Sequence, residues 1–163
     1  MLQEVKELQN RAVKELLQVV GHKKEKEITF KAPTGSGKTF MMAKFFNEIL
    51  TKQDDIIFLV NTLSKCELAK QSYEKFCEYK KKYFSKLEPF LINSNNKGQE
   101  DRFFIPEDKN VYVLPKDLLG KRKTISEQNV LKVFLEQQTN CNFFSKKKKK
   151  KVYLIKAAVL PLD

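Results

Sequence analysis

Ala32-Pro33-Thr34-Gly35-Ser36-Gly37-Lys38-Thr39 is the stretch on which the reading of this chain turns. Glu27 to Lys31 precede it and read as a short strand through Ile28 and Phe30. Lys38 to about Leu50 follow, with Phe40, Met41, Ala43, Phe45, Ile49 and Leu50 at helical spacing. In a strand–turn–helix of this composition each residue type has a chemical task. The glycines let the backbone curl until several N–H groups point inward, a cradle for phosphate oxygens. Lys38 reaches the outer phosphates, the Thr39 hydroxyl can ligate Mg²⁺, and the helix N-terminus adds its partial positive charge. Thr34, Gly35, Ser36, Gly37, Lys38 and Thr39 are therefore the expected binding set for a nucleoside triphosphate, ATP, with Thr39 as the Mg²⁺ ligand. The plain alternative is a flexible turn that happens to hold glycine and lysine. Gly-x-Gly-Lys-[Ser/Thr] arises by chance in roughly 1% or fewer of chains this long, and the flanking strand and helix reduce that further.

Outward from the loop, strands and helices alternate. Upstream, Leu2, Val5, Leu8, Ala12, Leu16, Val19 and Val20 predict a helix over 2–20, closed by Gly21. Downstream, Ile56-Ile57-Phe58-Leu59-Val60 is a continuous apolar run of strand length, as suits a strand covered on both faces of a parallel sheet. Asn61-Thr62-Leu63 reads as a turn, and Ser64-Lys65-Cys66-Glu67 has the form of a capping box opening a helix to about Tyr83. Strand, loop, helix, strand, loop, helix predicts an α/β fold with a mainly parallel sheet flanked by helices. Further on, Phe90-Leu91-Ile92 and Val111-Tyr112-Val113-Leu114 read as strands, and Asn93 to Asp101 as an exposed loop. A basic stretch, Lys116 to Lys123, precedes a helix capped by Thr124 or Ser126 and running to about Gln138. Val152-Tyr153-Leu154-Ile155 is the last strand, and no internal repeat is visible.

Composition bounds the function classes. The 163 residues carry a formal charge of +12, and the six lysines Lys146 to Lys151 supply half of it. Such a surface favours sequence-blind contact with nucleic-acid phosphates, and equally suits a merely solvated face. Cys66, Cys77 and Cys141 have no Cys-x-x-Cys spacing and His22 is the sole histidine, which disfavours zinc. Cys66 and Cys77 fall eleven positions apart in one predicted helix and share a face, read as a buried one. Neither a secretory pattern nor an apolar span is visible, so the default compartment is the reducing cytoplasm, with no membrane partner.

With Ala32 in place of the usual first glycine, the loop resembles motif I of superfamily-two helicases. Leu8-Gln9-Asn10-Arg11-Ala12-Val13 looks like the adenine-contacting glutamine segment of those enzymes. Its amide offers adenine a donor and an acceptor together, against the simpler reading of a solvent-facing glutamine. Val60-Asn61-Thr62-Leu63-Ser64-Lys65, with Leu68 and Gln71, resembles motif Ia, which meets the nucleic-acid backbone. On that resemblance Thr62, Ser64 and Lys65 are nucleic-acid contacts; Ser64 as a helix cap is equally compatible. From Leu8 to Gln71 the chain is most similar to the motor of type III restriction enzymes. The resemblance implies a RecA-like P-loop domain, ATP and Mg²⁺ as cofactors, double-stranded DNA as partner through non-specific backbone contact, and a modification methyltransferase subunit as a further partner.

The same resemblance implies a strand ending in Asp-Glu, one acid organising Mg²⁺ and the other polarising the attacking water. The strand Val152 to Lys156 has the right character, but Ala157-Ala158-Val159-Leu160 follow it. The expected organisation is a first RecA-like domain, incomplete, over 1–145, a lysine run at 146–151, and a last strand with an out-of-frame or truncated tail at 152–163. Functionally the choice lies between the ATP-binding part of a type III restriction translocase, another superfamily-two DNA helicase, and an inactive remnant that binds nucleotide or DNA. A small P-loop kinase is disfavoured, because substrate and lid regions are missing. Asp117 is the fallback acid should the chain hydrolyse ATP.

Overall fold

The computed structural model describes residues 2–22, 32–33, 35–62, 66–92, 105–115 and 150–157. Its framework is α1 (Leu2–His22), α2 (Lys38–Lys52), β1 (Ile56–Thr62), α3 (Cys66–Lys82), β2 (Pro89–Leu91), β3 (Val111–Pro115) and β4 (Lys151–Ala157). The expected strand at 27–31, the loop at 93–101, the basic stretch at 116–123, the helix ending near Gln138, Cys141 and the tail beyond 157 lie outside the described residues.

The apolar run at 56–60 becomes the interior of a four-stranded sheet, ordered β2-β3-β1-β4, in which every described pairing is parallel. All seven residues of β1 are buried, as a strand covered on both faces requires. Alternation sorts its side chains. Ile56, Phe58 and Val60 face the three helices, together with Val111 and Val113 of β3 and Tyr153 and Ile155 of β4. Ile57 and Leu59 face the other way, with Tyr112, Leu114, Ile92 and Ile105.

Phenylalanine fills the helical side. Phe46 of α2 stacks on Phe58 at 4.2 Å, Phe58 stacks on Tyr153 at 5.8 Å, and Phe76 of α3 leans on Phe46 at 5.9 Å. Removing one such ring typically costs about 3–5 kcal/mol. The phenylalanine-rich composition thus has a structural use: these rings tie α2, β1, β4 and α3 into one core.

Three expectations needed correction. The segment Asn61-Thr62, read as the start of a turn, continues β1. Asn61 pairs with Leu114 and Lys156, and Thr62 with Pro115 and Ala157, so ladders on both sides hold two polar residues in the strand. The apolar stripe of α1 also splits. Val13 is buried, and Ala12, Leu16, Leu17 and Val20 pack on the core, but Leu2, Val5 and Leu8 are exposed, Leu2 at 78%. Only the second half of the helix meets the core. Both Cys66 and Cys77 lie on α3 as expected, and Cys77 is half-buried rather than buried.

At the amino ends of the strands one residue, through its side chain and backbone, joins three segments. The Asn110 Oδ1 accepts from the Glu88 amide at 2.7 Å, and its Nδ2 donates to the Lys86 carbonyl at 2.8 Å. The Asn110 backbone amide donates to Glu88 O at 3.1 Å, and its carbonyl accepts from the Phe58 amide at 2.7 Å. Among the described residues no helix is long and apolar enough to cross a membrane.

Candidate nucleotide-binding site

The glycine loop enters α2 through two left-handed residues, Gly35 and Gly37, each at φ +81°. Side chains rarely tolerate that conformation, which explains both glycines. The turn closes with Ser36 N donating to Pro33 O at 3.2 Å, and Met41 N donating to Gly37 O at 2.9 Å begins the helix. Gly37 is the N-cap residue and no side chain caps the helix, nor does an acid stand in the first turn. The leading amides of α2 are therefore left to a ligand, with no acid in the first turn to repel an anion.

Two side chains hold this loop. Lys38 Nζ donates to Ala32 O at 2.8 Å, which brings the ammonium back across the turn that it terminates. Gln9 Nε2 donates to Ser36 O at 2.9 Å, from the neighbouring helix α1. A Cβ on Gly37 would lie 2.5 Å from that same nitrogen, so Gly37 is required for space as well as for φ. Asn10 Oδ1 accepts a hydrogen bond from Lys44 Nζ, which further ties α1 to α2. The Ser36 hydroxyl oxygen is buried and without a hydrogen-bond partner.

Beside the loop is a cleft of about 320 Å³ lined by Gly35, Gly37, Lys38, Thr39, Phe40, Lys75 and Tyr79. The first four were expected from the motif. Phe40 was expected only as an apolar residue of the helix, and Lys75 and Tyr79 come from α3. Their spacing puts them on one helical face, but no local pattern in the sequence tells that this face meets the loop.

The remaining expected residues are distributed unevenly. Thr62 is 3% exposed, and its hydroxyl donates to Leu114 O at 3.4 Å. A phosphate contact from Thr62 has to displace that bond. Thr34, Ser64, Lys65 and Asp117 lie outside the described residues. At the carboxyl ends of the strands Thr62, Pro115 and Ala157 stand in one register row, and in the sequence Ala157 takes the position expected for the first acid. Among the described residues no group of three His, Cys, Asp or Glu could hold a metal ion. Mg²⁺ is usually carried by substrate phosphates and water, with few protein ligands. The loop fits a phosphate-borne Mg²⁺ through the Thr39 hydroxyl and lacks the supporting carboxylate on β4.

Residues 3–157, which include Gln9, the loop and all of β4, match the family model described as type III restriction enzyme, res subunit. The chain belongs to that family. No curated protein and no solved structure matches it significantly. As a member of the res subunit family the chain is helicase superfamily-two-like, and its parallel sheet with flanking helices is the α/β architecture of a RecA-like domain. ATP and Mg²⁺ are the usual cofactors of res subunits, and DNA with a methylase their general partners.

Proposed function

We propose that this domain is the ATP-binding part of a DNA-dependent translocase of a type III restriction-modification system, acting in the cytoplasm. The observation that carries the reading is the loop itself: two left-handed glycines, an uncapped α2 and the Lys38 ammonium converge on one small space. ATP binds with its outer phosphates on Lys38 and the amides of α2, and with Mg²⁺ on Thr39. Gln9 holds the loop through Ser36. Double-stranded DNA makes non-specific backbone contact through Thr62, Ser64 and Lys65. A modification methyltransferase subunit is the partner that the family suggests.

The alternative, a nucleotide- or DNA-binding module without catalysis, is favoured by one observation. In the sequence, Ala157 and Ala158 take the positions at which the family resemblance implies the acids that organise Mg²⁺ and polarise water. The two readings part in one assay. With saturating ATP and added DNA, the chain is expected to bind nucleotide through Lys38 and to turn over little or none. Turnover that DNA stimulates and Lys38→Ala abolishes would establish the enzyme and show that another acid, with Asp117 the first to test, does the work. Nucleotide binding indifferent to Lys38→Ala would sink both.

A further inference from the structure

The glycine loop is one side of its cleft; the facing side is α3. Lys75 and Tyr79 are one helical turn apart, so both side chains leave α3 on the same face, toward Gly35, Lys38 and Thr39. Tyr79 is fixed relative to the loop, because its ring meets Phe40 edge-on at 5.4 Å and 88°. Phe40 directly follows Thr39 and is itself braced by Tyr83 at 5.9 Å and Phe84 at 5.3 Å. Lys75 donates to Glu78 at 3.0 Å, and the same carboxylate holds Lys82 at 2.9 Å. Lys75 can therefore turn its ammonium to an anion in the cleft and leave Glu78 still paired. The carboxylate beside it raises the Lys75 pKa, which keeps that ammonium charged.

An aromatic ring beside a row of phosphate donors, with a second lysine across from the first, is complementary to both halves of a nucleotide. The other flank of the loop is less suited. Gln9 is not part of the cleft wall, and its Nε2 is already given to Ser36 O. We propose that α3 completes the nucleotide site, with Lys75 on the polyphosphate opposite Lys38 and Tyr79 against the nucleoside. Gln9 then positions the loop rather than reading the base. The inference rests on the nucleotide-binding reading above, and it makes the site selective for a nucleoside polyphosphate over a bare polyphosphate.

The test compares ATP with inorganic tripolyphosphate as ligands of the full chain, each with Mg²⁺, by calorimetric titration. Lys75→Ala is expected to weaken both about tenfold, the loss of one contact to a charged group. Tyr79→Leu is expected to weaken ATP about tenfold and leave tripolyphosphate unchanged, since only ATP has a base to pack on the ring. Tyr79→Phe, which keeps the ring, is expected to bind ATP as the unaltered chain does. Gln9→Ala is expected to weaken both ligands alike. Lys75 is exposed, so Lys75→Glu folds whatever Tyr79→Leu does. It carries the test through an expected loss of tenfold or more for both ligands. Should Lys38→Ala abolish ATP binding while the Lys75 and Tyr79 variants bind normally, the α3 wall is overturned and the loop reading stands. A loss specific to ATP in Gln9→Ala would return the base to α1 and overturn the proposal too. Absence of ATP binding by the unaltered chain would remove the nucleotide reading, and the α3 wall with it.

Discussion

The start of α2 and the carboxyl ends of β1, β3 and β4 differ in what they offer a ligand. Where the loop opens α2, free helix amides, the Lys38 side chain and Thr39 border one small space. At the row Thr62, Pro115, Ala157 there is one hydroxyl, already given to Leu114 O, and no carboxylate. Asn61, next to that row, keeps an unpartnered Oδ1 at 5% exposure, so even its polar atom is turned away from solvent. In a parallel sheet each strand delivers its own functional group to the common edge. The groups suited to hold a phosphate and the position expected for an acid thus come from different segments of the chain.

The largest expected effect lies on the loop. Lys38→Ala should reduce ATP affinity by about 10- to 100-fold, equivalent to about 1.5–3 kcal/mol, with an unchanged melting curve. Equal affinity in a titration would erase the contrast between the two ends. Gly37→Ala comes next: its left-handed backbone should cost about 1–3 kcal/mol in a urea melt. Gln9 can swing away from the new methyl only by giving up Ser36 O, so Gln9→Ala in the same chain should restore little of the loss. At the other end Thr62→Val should change stability by less than about 1 kcal/mol, because the bond it removes is long, and should leave ATP binding intact. If DNA affinity nevertheless fell, the end of β1 would belong to the nucleic-acid surface.

The smallest effect is a control away from both ends. Burial raises the Tyr112 phenol above its ordinary value of 10.0, and its hydroxyl donates to Pro106 O at 2.6 Å and Lys109 O at 3.1 Å. The folded value is higher than the unfolded one, so this contribution is complete below about pH 10 and is lost as pH rises toward the folded value. Denaturation midpoints between about pH 9 and 11 should fall more steeply for the unaltered chain than for Tyr112→Phe. ATP affinity should follow neither.

Much of this was legible in the sequence, for local reasons. The run 56–60 and the run 111–114 announced buried parallel strands because both faces of each are apolar. The loop announced itself because only glycine suits φ +81° and because lysine and threonine directly follow. What stayed hidden depends on packing between distant segments. Nothing near Lys75 and Tyr79 shows that α3 turns that face to the loop. Asn61 and Thr62 look like turn residues until β3 and β4 bracket them. Leu2, Val5 and Leu8 continue a helical stripe past the point where the core ends.

Asn110 carries a consequence of another kind. Its side-chain amide is a peptide group in miniature, with a carbonyl that accepts and an NH₂ that donates, and here it takes both partners from the segment leading into β2. The sheet thereby gains a rung that the main chain does not provide. Aspartate has the shape but could only accept, and leucine has the volume but neither function. The amino ends of β2 and β3 are spliced by that borrowed rung.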